Sequence, residues 1–218
     1  MGGVPDRPAG GPDGPRADAP ATSGGARPAH PAPGTPAGSG PGGDGAAAGA
    51  LAPRCVAAAL ARGTTVAVAE SLTAGLVCAR LADVPGASGA LRGGVVAYAT
   101  DLKQTLLDVP SELLDREGPV HPAVATAMAE GVRRLLGADV GVATTGVAGP
   151  GPADGHPAGT AFAAVTGPRG DRVVALALPG DRAAVREAVT RAALALLADA
   201  LEEGSGPGGG SAGRETSS

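Results

Sequence analysis

Thr64 to Ala69 reads TTVAVA and runs straight into Glu70-Ser71-Leu72-Thr73-Ala74-Gly75. A β-branched, apolar, nearly uncharged run of this length predicts a buried central strand over 64–69. Leu72, Leu76, Ala79 and Ala82 then recur at helical spacing, with Arg80 and Asp83 on other faces. The junction is therefore a strand-to-helix turn centred on Ser71. Upstream, Leu51 to Ala61 predicts a helix that stops at Gly63.

Downstream, Gly93 to Ala99 (GGVVAYA) predicts a second strand ending near Tyr98. Thr100-Asp101 offers an N-cap for a helix through Leu107, which places Lys103 in its first turn. Pro110-Ser111-Glu112 opens a short helix. His121-Pro122 opens a longer one, with Val124, Met128, Val132 and Leu135 inward, ended by Gly137. Ala138 to Thr145 predicts a third strand, and Gly146-Val147-Ala148-Gly149-Pro150-Gly151-Pro152 a loop that continues to His156. Thr160–Thr166 and Arg172–Leu178 form a hairpin across Gly167–Asp171. Asp181 caps a last helix, with Val185, Val189, Ala192, Leu196 and Leu197 inward. Helices that alternate with strands and end on a hairpin predict an α/β layer fold around a mixed sheet.

Composition divides the chain of 218 residues into three parts. Residues 1–50 hold 14 Gly, 10 Pro and 12 Ala, and their only larger apolar side chains are Met1 and Val4. Such a stretch buries too little surface to offset chain entropy, so an arm over 1–50 and a tail over 204–218 are expected to be disordered. Residues 51–203 suffice for one domain with its own core. No apolar run is long enough for a membrane span, and the N-terminus lacks the pattern of a secretory signal, so a cytoplasmic location is expected. Net charge is −4, with one Phe, one Tyr and no Trp, which argues against direct nucleic-acid binding. Cys55 and Cys78 make neither a disulfide framework nor a metal quartet, and Cys78 reads as a small core residue.

Of the 17 basic residues, only Lys103 is a lysine. Lysine, unlike arginine, gives up its proton readily when buried, so Lys103 is a candidate base as well as an ordinary surface charge. A hydroxyl at a strand-to-helix junction is a candidate nucleophile. The Thr73 and Ala74 amides after it, if free, would hold a phosphate or an oxyanion. Ser71 is equally read as a plain N-cap. Tyr98 is either a half-buried strand residue or a hydroxyl standing between lysine and serine. His30 lies in the arm, His121 starts a helix, and His156 sits in a loop without an evident Asp partner. The loop from Thr145 is not a P-loop, because no Gly-Lys-Ser/Thr follows. The Ser71 turn, the Tyr98–Lys103 turn and this loop all follow strands, so parallel pairing would bring them to one sheet edge, where ligands bind in open α/β folds.

AESLTAGLV (69–77), GGVVAYATDLKQTLLDV (93–109), ATTGVAGPGP (143–152) and PGDRAAVR (179–186) occur in the order and spacing of the CinA C-terminal domain family, and the chain resembles that family over 51–203. The resemblance implies a three-layer α/β/α domain without metal or other cofactor. It implies an amidase that deamidates nicotinamide mononucleotide to nicotinic acid mononucleotide and ammonia. Carried over by position, Ser71 is the nucleophile, Lys103 the base and Tyr98 the relay or hydrogen-bonding partner. The amides of Thr73, Ala74 and Gly75 and the loop residues Thr145, Gly146, Ala148 and Gly149 would hold the substrate. Arg182 and Arg186 stand as phosphate contacts or as a solvated helix face. A small-molecule nucleotide is the expected partner, with self-association suggested by the relatives. Two departures are visible. The family usually reads Cys-Thr-Gly-Gly after the serine, where this chain has Leu72-Thr73-Ala74-Gly75, and often Tyr-Ser-Asn where this chain has Tyr98-Ala99-Thr100. They keep open an amidase for another small amide, and the family's tie to competence and DNA damage keeps open a nucleotide-binding adaptor without turnover. Many relatives carry a large N-terminal domain that 1–50 cannot supply, so a stand-alone version is expected.

Overall fold

A computed structural model of the chain describes residues 50–203. The expectations for residues 1–49 and 204–218, and for His30, lie outside the described residues. The elements are α1 (Leu51–Ala61), β1 (Val66–Glu70), α2 (Leu76–Ala82), a 3-10 turn (Ala87–Gly89), β2 (Leu91–Val96), α3 (Thr100–Leu107), α4 (Ser111–Glu117), α5 (Pro122–Leu136), β3 (Val140–Gly146), β4 (Thr160–Thr166), β5 (Arg172–Ala177) and α6 (Arg182–Glu202).

Every residue of β1 is buried, because the sheet order is β2-β1-β3-β4-β5 and β1 pairs in parallel on both sides. The β3–β4 and β4–β5 pairs are antiparallel. The sheet is mixed, and the hairpin closes it as expected. Successive β1 side chains point to opposite faces. Val66 and Val68 pack with Val56 and Ala59 of α1 and Leu194 and Leu197 of α6, whereas Ala67 and Ala69 pack with Val124, Met128 and Val132 of α5. Helices thus cover both faces, giving three layers.

The differences from the expected elements have local causes. β1 starts at Val66, because the Thr64 N–H donates to the Ala59 carbonyl (2.9 Å) and Thr65 binds the Asp139 carboxylate through its N–H (2.8 Å) and hydroxyl (2.7 Å). It runs on to Glu70, which stays in register with Val96 and Thr144. β2 stops at Val96, leaving Tyr98 beyond the strand. Helix α3 is entered from Ala99 with no side-chain cap, so the Thr100-Asp101 cap does not form. Leu135 is exposed while Leu136 packs on the core, because α5 is at its last turn there. On α6 the buried stripe runs Val185, Val189, Ala193 and Leu197, with Thr190, Leu194 and Ala198 beside it. Ala192 and Leu196 are only half-buried, since α6 packs on α1 as well as on the sheet. Cys78 is likewise half-buried rather than fully in the core.

One close approach positions the site. A Cβ on Gly131 of α5 would lie 1.9 Å from the carbonyl oxygen of Leu107, the last residue of α3. Only a glycine lets α5 and the helix carrying Lys103 touch backbone to backbone.

Candidate active site

Ser71 leaves the end of β1 with its N–H donating to the Thr144 carbonyl of β3 (3.0 Å). The helix that follows begins only at Leu76, with Gly75 as its N-cap. Its first amides are already taken. The buried Glu70 carboxylate accepts from the N–H groups of Gly75 (2.9 Å), Val77 (3.1 Å) and Cys78 (2.8 Å). A carboxylate at a helix N-terminus satisfies orphan donors and complements the helix dipole. The Ala74 N–H donates to the Ser71 carbonyl (3.1 Å).

This corrects the expectation of a free amide at Ala74. Thr73 is fully buried, with its hydroxyl 2.7 Å from that of Thr144. Ala74 is exposed, in the left-handed region at φ 51°. Neither residue, nor Gly75, borders the cavity at Ser71. The Ala74 methyl therefore crowds nothing there. Arg186 reaches over from α6 and donates to the carbonyls of Leu72 (3.0 Å) and Thr73 (2.8 Å). It clamps the turn, and is not a solvated side chain.

Lys103 enters from the far side of the same turn. It is 1% exposed, and its Nζ lies 2.9 Å from Ser71 Oγ and 3.2 Å from the Ala97 carbonyl oxygen. Both partners are neutral. Burial pulls the amine down to about 8, against a smaller opposing pull from Asp154. Deprived of water and of a paired anion, a lysine disfavours its charged form.

Tyr98 is 53% exposed, and its hydroxyl accepts from Arg182. Lys103 reaches Ser71 directly, so the expected place for Tyr98 between them is already bridged. Its side chain instead borders the opening in front of the pair.

That opening is a cavity of about 310 Å³. Thr145, Gly146, Ala148 and Gly149, the loop residues named by the resemblance, line it. Thr145 is fixed by its hydroxyl, which donates to the Pro119 carbonyl (2.7 Å). Leu72, Pro119, Val120, Asp154 and Arg182 are also on the wall, with Thr100, Val147 and the stretch 150–153. Of these, the sequence marks Leu72 only as a departure from the family and does not single out Pro119, Val120 or Asp154. Arg182 also donates to the Gly149 carbonyl (3.0 Å), tying α6 to the loop. His121 Nδ1 accepts from the Ala123 N–H (3.3 Å) and caps α5, and neither it nor His156 borders the cavity. Among the described residues no group of three His, Cys, Asp or Glu is placed to hold a metal ion. No described helix is long and apolar enough to cross a membrane.

The CinA C-terminal domain model matches residues 49–201. The chain belongs to the CinA C-terminal domain family. It is 51% identical over 136 residues to a CinA-like protein of Frankia casuarinae, a match covering 62% of this chain and 31% of that one. A CinA-like protein of Anaeromyxobacter is 50% identical over 147 residues, covering 67% of this chain and 36% of the relative. The chain spans about a third of the length of these relatives. Among solved structures, the competence damage-inducible protein A of Klebsiella pneumoniae superposes with a TM-score of 0.69 at 32% identity, covering 72% of this chain and 98% of that one. The CinA fold is thus shared with proteins of known structure.

Proposed function

We propose that this CinA domain is an amidohydrolase that converts nicotinamide mononucleotide to nicotinic acid mononucleotide and ammonia. The observation that carries the reading is the 2.9 Å contact between a buried lysine and a serine hydroxyl at the floor of a cavity. In its neutral form Lys103 accepts the Ser71 proton as Oγ attacks the carboxamide carbon. The resulting ammonium returns that proton to the departing nitrogen, and ammonia leaves an ester on Ser71. Water then attacks the ester and gives its proton to Lys103, which passes it to the departing Ser71 Oγ. Serine and neutral lysine are restored, and the acid released ionises to the carboxylate. The Leu72 amide stands next to the nucleophile, is engaged by no carbonyl among the described residues, and belongs to a residue of the cavity wall. It replaces the Thr73–Gly75 amides as the donor for the developing oxyanion. Arg182 supplies a cation on the cavity wall for the phosphate, and Tyr98 a hydroxyl beside it.

The purified protein is expected to release ammonia from nicotinamide mononucleotide. Ser71→Ala should lower that rate by at least about a thousandfold. A folded wild-type protein that releases no ammonia from this substrate overturns the reading. Leu72 on the cavity wall favours one variation on it, a preference for a different small amide. A panel of amides presented to the same protein separates the two.

A further inference from the structure

The loop after β3 is closed at its base, where the Val147 N–H donates to the Thr160 carbonyl (2.8 Å) and the Gly159 N–H to the Val147 carbonyl (2.8 Å). At its tip Ala153 and His156 pair as an antiparallel bridge, through Ala153 N–H to His156 O (3.1 Å) and His156 N–H to Ala153 O (2.9 Å). Asp154 and Gly155 between them have φ of 50° and 77°. Two successive positive φ values inside a paired two-residue loop are the mark of a type I′ turn, for which Asp-Gly is a preferred sequence. Asp154 is thus presented by a defined turn.

Among the described residues lining the cavity, Asp154 is the only carboxylate, facing the two cations Lys103 and Arg182. Its field favours the protonated form of Lys103. The reaction proposed above needs the neutral form. A carboxylate on this wall therefore works against the base unless something else positive enters the cavity.

We propose that Asp154 reads the positive charge of the substrate's ring, so that the site prefers amides carried on a cationic, pyridinium-type ring over the same amides on a neutral ring. This inference rests on the function proposed above. The carboxamide carbon is bonded directly to the ring, so an amide seated at Ser71 brings the ring charge to the acyl end of the cavity. The ring then offsets the Asp154 field at Lys103, and its own charge repels the ammonium. Binding of the right substrate would itself release the base.

The test compares nicotinamide mononucleotide with its reduced dihydropyridine form, which keeps the ribose, phosphate and carboxamide but has a neutral ring. Dissociation constants are measured in a Ser71→Ala background with Asp154 or with Asp154→Asn. Asparagine matches the size of aspartate and tolerates the left-handed backbone, so the turn should persist. Asp154→Asn is expected to weaken the oxidised ligand by about threefold to tenfold and the reduced one by less than about twofold, with the difference shrinking as salt is added. Equal losses for both ligands, or none for either, overturn the inference. Ammonia release by the wild-type protein separates the two levels. Turnover without charge selectivity removes only the role of Asp154, whereas absence of both turnover and binding removes the functional reading and this inference with it.

Discussion

The two ends of the sheet treat positive charge in opposite ways. Where β1 and β3 end, Lys103 is buried against a hydroxyl and a carbonyl, with no carboxylate partner. Where they begin, Arg62, Arg169 and Arg172 border a second hollow of about 270 Å³. There Arg169 donates to the carbonyls of Ala200 (3.1 Å) and Leu201 (3.0 Å), Arg62 to that of Glu202 (2.8 Å), and Arg172 pairs with Glu203. These arginines close the C-terminal end of α6, where exposed carbonyls favour cations. The chain has 16 arginines and one lysine, and the lysine is the cation buried among neutral partners. Where the strands begin, the arginines sit beside oxygen partners, whereas Lys103 is buried against neutral groups, with Asp154 acting on it only from across the cavity.

The strongest way to break that comparison is to make the lysine permanently charged. Lys103→Arg should lower ammonia release by at least about a thousandfold, because a guanidinium does not deprotonate in this range. A variant retaining more than a tenth of the rate would show that Lys103 is not the base. With the native lysine held at about 8, kcat/KM should climb about tenfold per pH unit below that value and level off above it. The same depression sets a stability trend. Between pH 8 and the ordinary lysine value of 10.5 the unfolded chain holds a proton that the folded chain has lost. The Lys103 contribution to stability therefore increases as pH rises through that window, and below it the burial penalty is fully present. Lys103→Met should accordingly raise the melting temperature at pH 7, with the gain narrowing toward pH 10.

Smaller effects sharpen the picture around the serine. Glu70→Ala strips three helix N–H groups of their acceptor inside the core, and should cost about 3 kcal/mol in denaturant unfolding. Glu70→Gln, which keeps one acceptor oxygen, should cost less. Ala74→Gly relieves a left-handed alanine at an exposed position, and should stabilise the fold by about 0.5–1 kcal/mol, with activity unchanged. At the bottom of the scale, Arg54→Ala removes an ion pair with Glu202 on the surface, and its melting temperature should fall within error of the wild type.

Much of this was legible in the chain because it is local. The β-branched run at 64–69 fixed a buried strand to within two residues, and the hairpin across 167–171 needed only its turn residues. Asp181 as a cap and His121 as a helix start follow from side chains that bond two or three residues onward. What was missed is mostly non-local or lies in side-chain direction. Glu70 ends an otherwise apolar strand, which is itself a signal, but only coordinates show its carboxylate bending onto the helix ahead. That bend is why the Gly75, Val77 and Cys78 amides are engaged. Arg186 clamps a turn more than a hundred residues away in sequence, and no periodicity announces such a contact. Asp154-Gly155 was the one overlooked site signal readable locally, since Asp-Gly inside a glycine- and proline-rich loop marks a tight turn. Scarcity marks Lys103 as a candidate base, but the sequence leaves its burial open. Packing of α3 under α5 is what realises it.

That packing has a consequence of its own. Gly131 sees neither the cavity nor any reacting group, yet the missing methyl at its Cα sets how closely α5 presses the rod that holds the amine. A single carbon added there would act as a wedge, tilting the rod and opening the gap between Lys103 and Ser71. Under the amidohydrolase reading proposed above, turnover would be adjustable from behind, by a residue that never meets a substrate.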